Sequence, residues 1–305
     1  MAMVADRWLE GALDRLAQQP VCGYVRGRAP AAEPTALAAL ALVANARRAA
    51  ARPALEWLAR MQADDGSVGV RAGEQRPGWP TALAICAWQA GKDADEQTTA
   101  AANNQVAIAI DRGVDWLLAI EGLALPPSPV MGHDPTIIGW PWVESTHSWL
   151  EPTAWAVLAL RATGNADHPR TSEGLRLLED RLLPTGGANY GNTSVLGQML
   201  RPHIEPTGLA LMALAGQPAA IGKLIRSCDY LSDTLNGSIA ANSLAYGLMG
   251  LAAQRRFPEQ ASAWLEAASA RTLRHGENLH SLALLALAAT GDQGPLIACC
   301  EEAPP

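Results

Sequence analysis

Three glutamates stand where the sequence starts a helix. They occur in Glu33-Pro34-Thr35-Ala36-Leu37, Glu151-Pro152-Thr153-Ala154 and Glu205-Pro206-Thr207-Gly208-Leu209. A fourth copy, Trp79-Pro80-Thr81-Ala82-Leu83, has tryptophan in place of the acid. Looser copies open at Asn242-Ser243-Leu244 and at Asn278-Leu279-His280-Ser281-Leu282. Carboxyl groups gathered at one place can serve as general acid and base. A buried carboxyl among its own kind is raised in pKa and keeps its proton near neutral pH. The triplet also has a local use, since a carboxylate at a helix N-terminus gains about 0.3–1 kcal/mol from the helix dipole. Of the three, Glu151 is the strongest candidate for chemistry, because a Trp-rich segment, Gly139 to Ser148, leads into it.

The tryptophans form two groups. Trp8, Trp57, Trp116 and Trp264 recur at matching places in amphipathic segments (RWLE, EWLA, DWLL, AWLE) and read as structural. Trp79, Trp140, Trp142, Trp149 and Trp155 lie in or near the helix openings. Aromatic faces there stabilise cations or stack on sugars and polyprenyl chains, or simply pack a loop. Asn189, Tyr190 and Asn192, in Gly186-Gly187-Ala188-Asn189-Tyr190-Gly191-Asn192, suit tight turns and also stand before an apolar helix. No Lys-Ser/Thr follows that loop, so it is not a phosphate loop. His133, His147 and His203 are loop histidines without metal spacing, although His147 belongs to the approach to Glu151.

Composition narrows the classes. The net charge of −7 argues against a nucleic-acid partner and gives no basic patch for anionic lipid. Cys22, Cys86, Cys228, Cys299 and Cys300 are odd in number and without CxxC, which suggests reduced, packed thiols in a cytoplasmic protein. The N-terminus lacks the basic start and apolar core of a signal peptide. No run reaches the ~18 apolar residues of a spanning segment. A cytoplasmic protein is expected, with peripheral membrane contact still allowed.

The positioning elements come from periodicity. Segments 6–17, 52–63, 108–121, 170–183, 219–234 and 258–273 are amphipathic at helical spacing. They alternate with apolar, Ala-rich segments 34–45, 80–90, 152–163, 206–215, 240–253 and 278–290. Lys92 to Asn104 reads as an exposed loop or frayed helix, and 122–148 as a long insert. An apolar helix paired with one amphipathic helix cannot bury itself. Six pairs can close a ring with the apolar helices inside, whereas an open solenoid would need polar caps. The expected fold is all-α: a single α/α toroid over residues 1–305, with six inner and six outer helices. Such a ring would bring Glu33, Glu151 and Glu205 to one mouth.

Ala54-Leu55-Glu56-Trp57-Leu58-Ala59-Arg60-Met61-Gln62-Ala63-Asp64-Asp65-Gly66-Ser67-Val68-Gly69 resembles the repeat of terpene cyclases and protein prenyltransferase β subunits. Leu58, Gln62 and Gly66 match it, and Val68 replaces its tryptophan. The cyclase motif Asp-x-Asp-Asp-Thr-Ala falls on Trp149-Leu150-Glu151-Pro152-Thr153-Ala154, with Glu151 at the proton-donating acid and both flanking acids replaced. The resemblance implies an isomerase- or lyase-type toroid that binds or cyclises an isoprenoid or other apolar small molecule. Glu151 would be its proton donor and Trp140, Trp142 and Trp149 its cation-stabilising wall. Of the prenyltransferase zinc ligands only the histidine has a counterpart, His280, and the Asp-x-Cys is missing, so neither metal nor cofactor is expected. His280 itself reads as a polar cap. The Gly-Cys-Gly-Glu-Gln thioester of complement-like toroids is also missing. Two other readings stay open. One is a non-catalytic toroid holding a lipid or protein. The other is a carbohydrate enzyme, since closed helical rings also host glycosidases with paired carboxylates and Trp platforms. The sequence fixes neither the oligomeric state nor whether residues 122–148 close the cavity.

Overall fold

The structure is a computed structural model, described for residues 7–92, 100–128, 131–218 and 221–298. Cys299, Cys300, the C-terminal tail and most of the polar stretch after Lys92 lie outside those residues. The described chain is helix-rich, with one two-stranded hairpin, and belongs to the all-α class. Six apolar helices alternate with six amphipathic ones. The apolar set is α2 (Ala32–Ala44), α4 (Thr81–Gly91), α6 (Leu150–Ala162), α8 (Ile204–Ala213), α10 (Ala241–Ala253) and α12 (Leu279–Ala288). The amphipathic set is α1 (Arg7–Gln18), α3 (Arg48–Met61), α5 (Ala100–Ala119), α7 (Pro169–Arg181), α9 (Ile221–Thr234) and α11 (Ala261–Arg274). Strands β1 (Ser194–Val195) and β2 (Gln198–Met199) form an antiparallel hairpin before α8, and a short α13 (Pro295–Ala298) follows a 3-10 turn.

The apolar helices contact one another in a cycle. Helix α2 packs on α4, α4 on α6, α6 on α8, α8 on α10 and α10 on α12, and α12 returns to α2. A helix flanked by two like itself needs an apolar surface nearly all round, which their Ala- and Leu-rich sequences provide. All six contribute to one continuous buried cluster. The amphipathic helices pack against this set, with Leu13, Leu58 and Leu178 fully or almost fully buried.

Four helix starts fall upstream of the positions expected. The Glu-Pro-Thr helices begin two residues earlier than the prolines suggest, at Ala32, Leu150 and Ile204. Proline therefore sits in the first turn, where its missing N–H has no intrahelical acceptor to lose. Each glutamate thereby enters the first turn beside free N–H groups. Helix α5 also starts well before residue 108, because Ala-rich residues 100–107 extend the helical pattern upstream.

The recurring threonine has a structural task. Thr35 Oγ1 accepts from Cys22 N and donates to Cys22 O, both at 3.1 Å. Thr81 accepts from Val68 N (2.8 Å), Thr153 from Trp140 N (3.0 Å) and Thr207 from Ala188 N (2.8 Å). All four threonines are fully buried. Each clamps the incoming loop to its helix by supplying a partner to a buried backbone N–H.

The turn that follows α3 at Gln62–Gly69 recurs as well. Ala63 N donates to Ser67 O, as Leu183 N does to Gly187 O, each at 2.8 Å. Gly66 (φ 92°) and Gly186 (φ 96°) take the left-handed conformation that this turn needs. A Cβ at either would collide with the carbonyl of an arginine on the next amphipathic helix, Arg112 O or Arg226 O, at 2.2 and 2.4 Å. Gln62 donates to Ala109 O (2.8 Å) and Gly66 O (3.0 Å), tying the turn to α5. The turn residues thus tie neighbouring helix pairs together.

Candidate active site

The N-termini of α2, α8, α10 and α12 meet α6 at one end of the bundle, and Glu33, Glu151 and Glu205 feel one another's charge there. Five of the six apolar helices place a polar side chain at this end: Glu33, Glu151, Glu205, Asn242 and His280. The sixth, α4, presents Trp79 just ahead of Pro80.

Glu33 is fully engaged. Its Oε2 accepts the Tyr24 hydroxyl at 2.5 Å, and its Oε1 lies 3.1 Å from His280 Nε2. Burial alone would push this carboxyl up. The His280 hydrogen bond, the His280 charge when protonated and the Tyr24 hydrogen bond together outweigh it and hold Glu33 below the usual carboxylate range. The helix cap expected of His280 belongs instead to Asn278, whose Oδ1 accepts from Ser281 N at 2.9 Å. His280 is buried and turned to Glu33, a residue 247 positions away.

Glu151 is the opposite case. It accepts no hydrogen bond among the described residues. Burial, then the charges of Glu205 and Glu33, push its pKa up to about 8. Glu205 is also raised, by burial first, with Glu33 adding to the effect and His280 opposing it. The end of the bundle therefore holds one carboxyl pushed up by its surroundings and one held down by them.

Aromatic pairs flank these helix openings. Tyr24 lies against His280 at 5.3 Å, Trp79 against Trp142 at 4.9 Å, His147 against Trp149 at 4.6 Å and Tyr190 against His203 at 5.2 Å. Tyr190 is raised in pKa by burial and by the charges of Glu205 and Glu151, which brings its hydroxyl into the same field. Asn189 completes its turn by donating to Arg201 O and accepting from Tyr190 N, each at 2.8 Å. Trp140 is packed away from the carboxyls. Its indole donates to Leu117 O (2.9 Å), and the Arg170 guanidinium lies over its ring at 4.4 Å.

One turn beneath Glu151, Trp155 meets Tyr246 of α10 edge to face at 6.4 Å. Both are almost fully buried. Burial raises Tyr246 strongly, and all three carboxyls add to it. The space between α6 and α10 directly below the acids is thus filled by two large rings.

Sequence reasoning missed Tyr24, Asn242, Tyr246 and the aromatic role of His203. Tyr24 sits in a Gly- and Arg-rich loop, and its only signal was proximity in sequence to Glu33. Cys22, Cys86 and Cys228 are buried. Among the described residues no cluster has metal-ligand geometry, and no helix is long and apolar enough to cross a membrane.

No family model matches the chain, and no curated protein matches it. Among solved structures it is similar to native alpha-2-macroglobulin from Escherichia coli, in the part spanning domain MG7 to the C-terminus. The TM-score is 0.50 at 15% identity, covering 92% of this chain and 42% of that one. The chain thus spans less than half the length of that structure. At this identity the likeness is one of helical fold alone.

Proposed function

We propose that the six apolar helices close into an α/α toroid whose mouth is a general acid–base site, with Glu151 as the acid and Glu33 as the base. One observation carries this reading. Two identical Glu-Pro-Thr openings meet at one end of the bundle, one carboxyl hydrogen-bonded on both oxygens and the other left among like charges. Environments that push two carboxyls apart in this way divide acid from base. Burial is the main cause of the raised Glu151, and the Glu205 charge adds to it.

A carboxyl held above its usual range by burial and by neighbouring acids suits proton donation to a leaving-group oxygen near neutral pH. Aromatic pairs around polar groups suit a sugar ring, whose C–H face stacks while its hydroxyls hydrogen-bond. The reaction is hydrolysis of a glycosidic bond. Glu151 gives its proton to the departing oxygen as the C–O bond breaks. Water adds to the carbon, and its proton goes to Glu33. Incubation with a panel of oligosaccharides, with reducing ends counted between pH 5 and 8, tests the reading. Turnover lost in Glu151→Gln is expected. A protein that releases no sugar, yet yields an isoprenoid on solvent extraction, would overturn it.

A second reading is a toroid that binds a lipid or protein without turnover. Trp155 and Tyr246 favour it over cyclisation, because they occupy the space that a folded isoprenoid would need beneath Glu151.

A further inference from the structure

Beyond the glutamates, we infer that Asn242, His280 and Glu33 form an amide–imidazole–carboxylate relay in which Asn242 fixes His280 as the neutral tautomer protonated on Nε2. The role of the relay in turnover rests on the acid–base reading above; its geometry does not.

Ser281 Oγ donates to Asn242 Oδ1 at 2.7 Å, which turns the Asn242 amide nitrogen toward His280 Nδ1, 3.4 Å away. An amide nitrogen only donates, so Nδ1 must accept and carries no proton. The imidazole proton is then on Nε2, which faces Glu33 Oε1 at 3.1 Å. Only 6% of His280 is exposed, so water does not choose the tautomer. Tyr24 occupies the other Glu33 oxygen at 2.5 Å and lies against the His280 ring. Glu33 thus receives a donor on each oxygen, the arrangement of an ionised carboxylate. The second nitrogen of a histidine is commonly what fixes the role of the first.

The relay spans three helices. Asn242 is on α10, His280 and Ser281 on α12, and Glu33 on α2. The other titratable or charged groups around it are Tyr24, Glu151, Glu205 and Tyr246, with Arg71 felt at Tyr24. His280 and Asn242 are positioning residues. They set the state of the base and leave the proton on Glu151 untouched.

The test uses ¹⁵N-labelled full-length protein and two-bond ¹H–¹⁵N spectra of its histidine rings, with His280 assigned by its loss in His280→Gln. At pH 7 the wild type should show one bare and one protonated ring nitrogen, the protonated one being Nε2. Asn242→Leu removes the donor and should abolish that pattern, giving a mixture of tautomers or an imidazolium. Asn242→Asp should protonate both nitrogens. Two protonated nitrogens in the wild type, a proton on Nδ1, or an unchanged pattern in Asn242→Leu would each overturn the relay. The wild-type spectrum decides even if the variants fold poorly. If sugar turnover is measurable, Asn242→Leu should lower kcat about tenfold or more with KM little changed. Failure to find turnover would sink the acid–base reading alone, since the tautomer is read without substrate.

Discussion

Glu33 and Glu151 occupy the same triplet, at the same place in the first turn of equivalent helices, and yet end in opposite states. Their threonines make the same clamp, and their prolines make the same start. What differs arrives from elsewhere in the chain. Glu33 meets Tyr24 and His280; Glu151 meets no donor among the described residues and sits within the field of two other acids. The local sequence therefore decides where a carboxyl stands, and tertiary contacts decide what it does there. A cycle of near-identical helix openings puts one residue type into two environments by varying only the partner across the gap.

The largest expected effect is on the Glu151 side. Its folded pKa is raised from 4.5 to about 8, so the fold binds a proton that the unfolded chain releases. The corresponding stability is complete below about pH 4.5 and is lost as pH rises through 8. Glu151→Gln should remove that loss and stabilise the protein above pH 8 by on the order of a few kcal/mol, read from urea unfolding across pH. Equal pH profiles for mutant and wild type would mean that Glu151 is an ordinary surface acid. Next come the clamps. Thr35→Val and Thr153→Val should each cost about 1–3 kcal/mol, because each leaves a buried N–H without its partner. Unequal costs would show that the two openings differ in scaffold as well as in acid.

A smaller effect is expected from Tyr24→Phe, about 0.5–1.5 kcal/mol from one lost hydrogen bond. The depressed pKa of Glu33 stabilises the fold above its unfolded value and is lost as pH falls through its folded one. Without Tyr24 that loss should begin at higher pH, while the behaviour of Glu151 stays as it was. The smallest change belongs to Glu205→Gln. It removes one like charge and should bring the Glu151 midpoint down from about 8, without reaching the ordinary carboxylate value, because burial is the larger cause.

Much of the scaffold was legible in the sequence. Alternating apolar and amphipathic segments marked all twelve long helices, since an element buried all round and one buried on a single face have different periodicities. The three glutamates were legible as a group for the same reason, being repeats of one opening. The partners were not. His280 lies 247 residues from Glu33, and the pairing depends on α12 returning to α2, which no local pattern encodes. Trp140 and Trp149 look alike in a Trp-rich stretch. Only packing separates the one tied to Leu117 and Arg170 from the one paired with His147 at the α6 opening. Filling of the space below Glu151 was equally hidden, because Trp155 and Tyr246 come from helices that are not neighbours in the cycle.

The split between the two carboxyls is open to direct observation. With ¹³C-labelled glutamate side chains, and signals assigned by Glu33→Gln and Glu151→Gln, the carboxyl carbons can be followed through a pH titration by NMR. The account predicts one midpoint near 8 that vanishes in Glu151→Gln and one below 4.5 that vanishes in Glu33→Gln. Two midpoints together near 4.5, or the higher one belonging to Glu33, would contradict it.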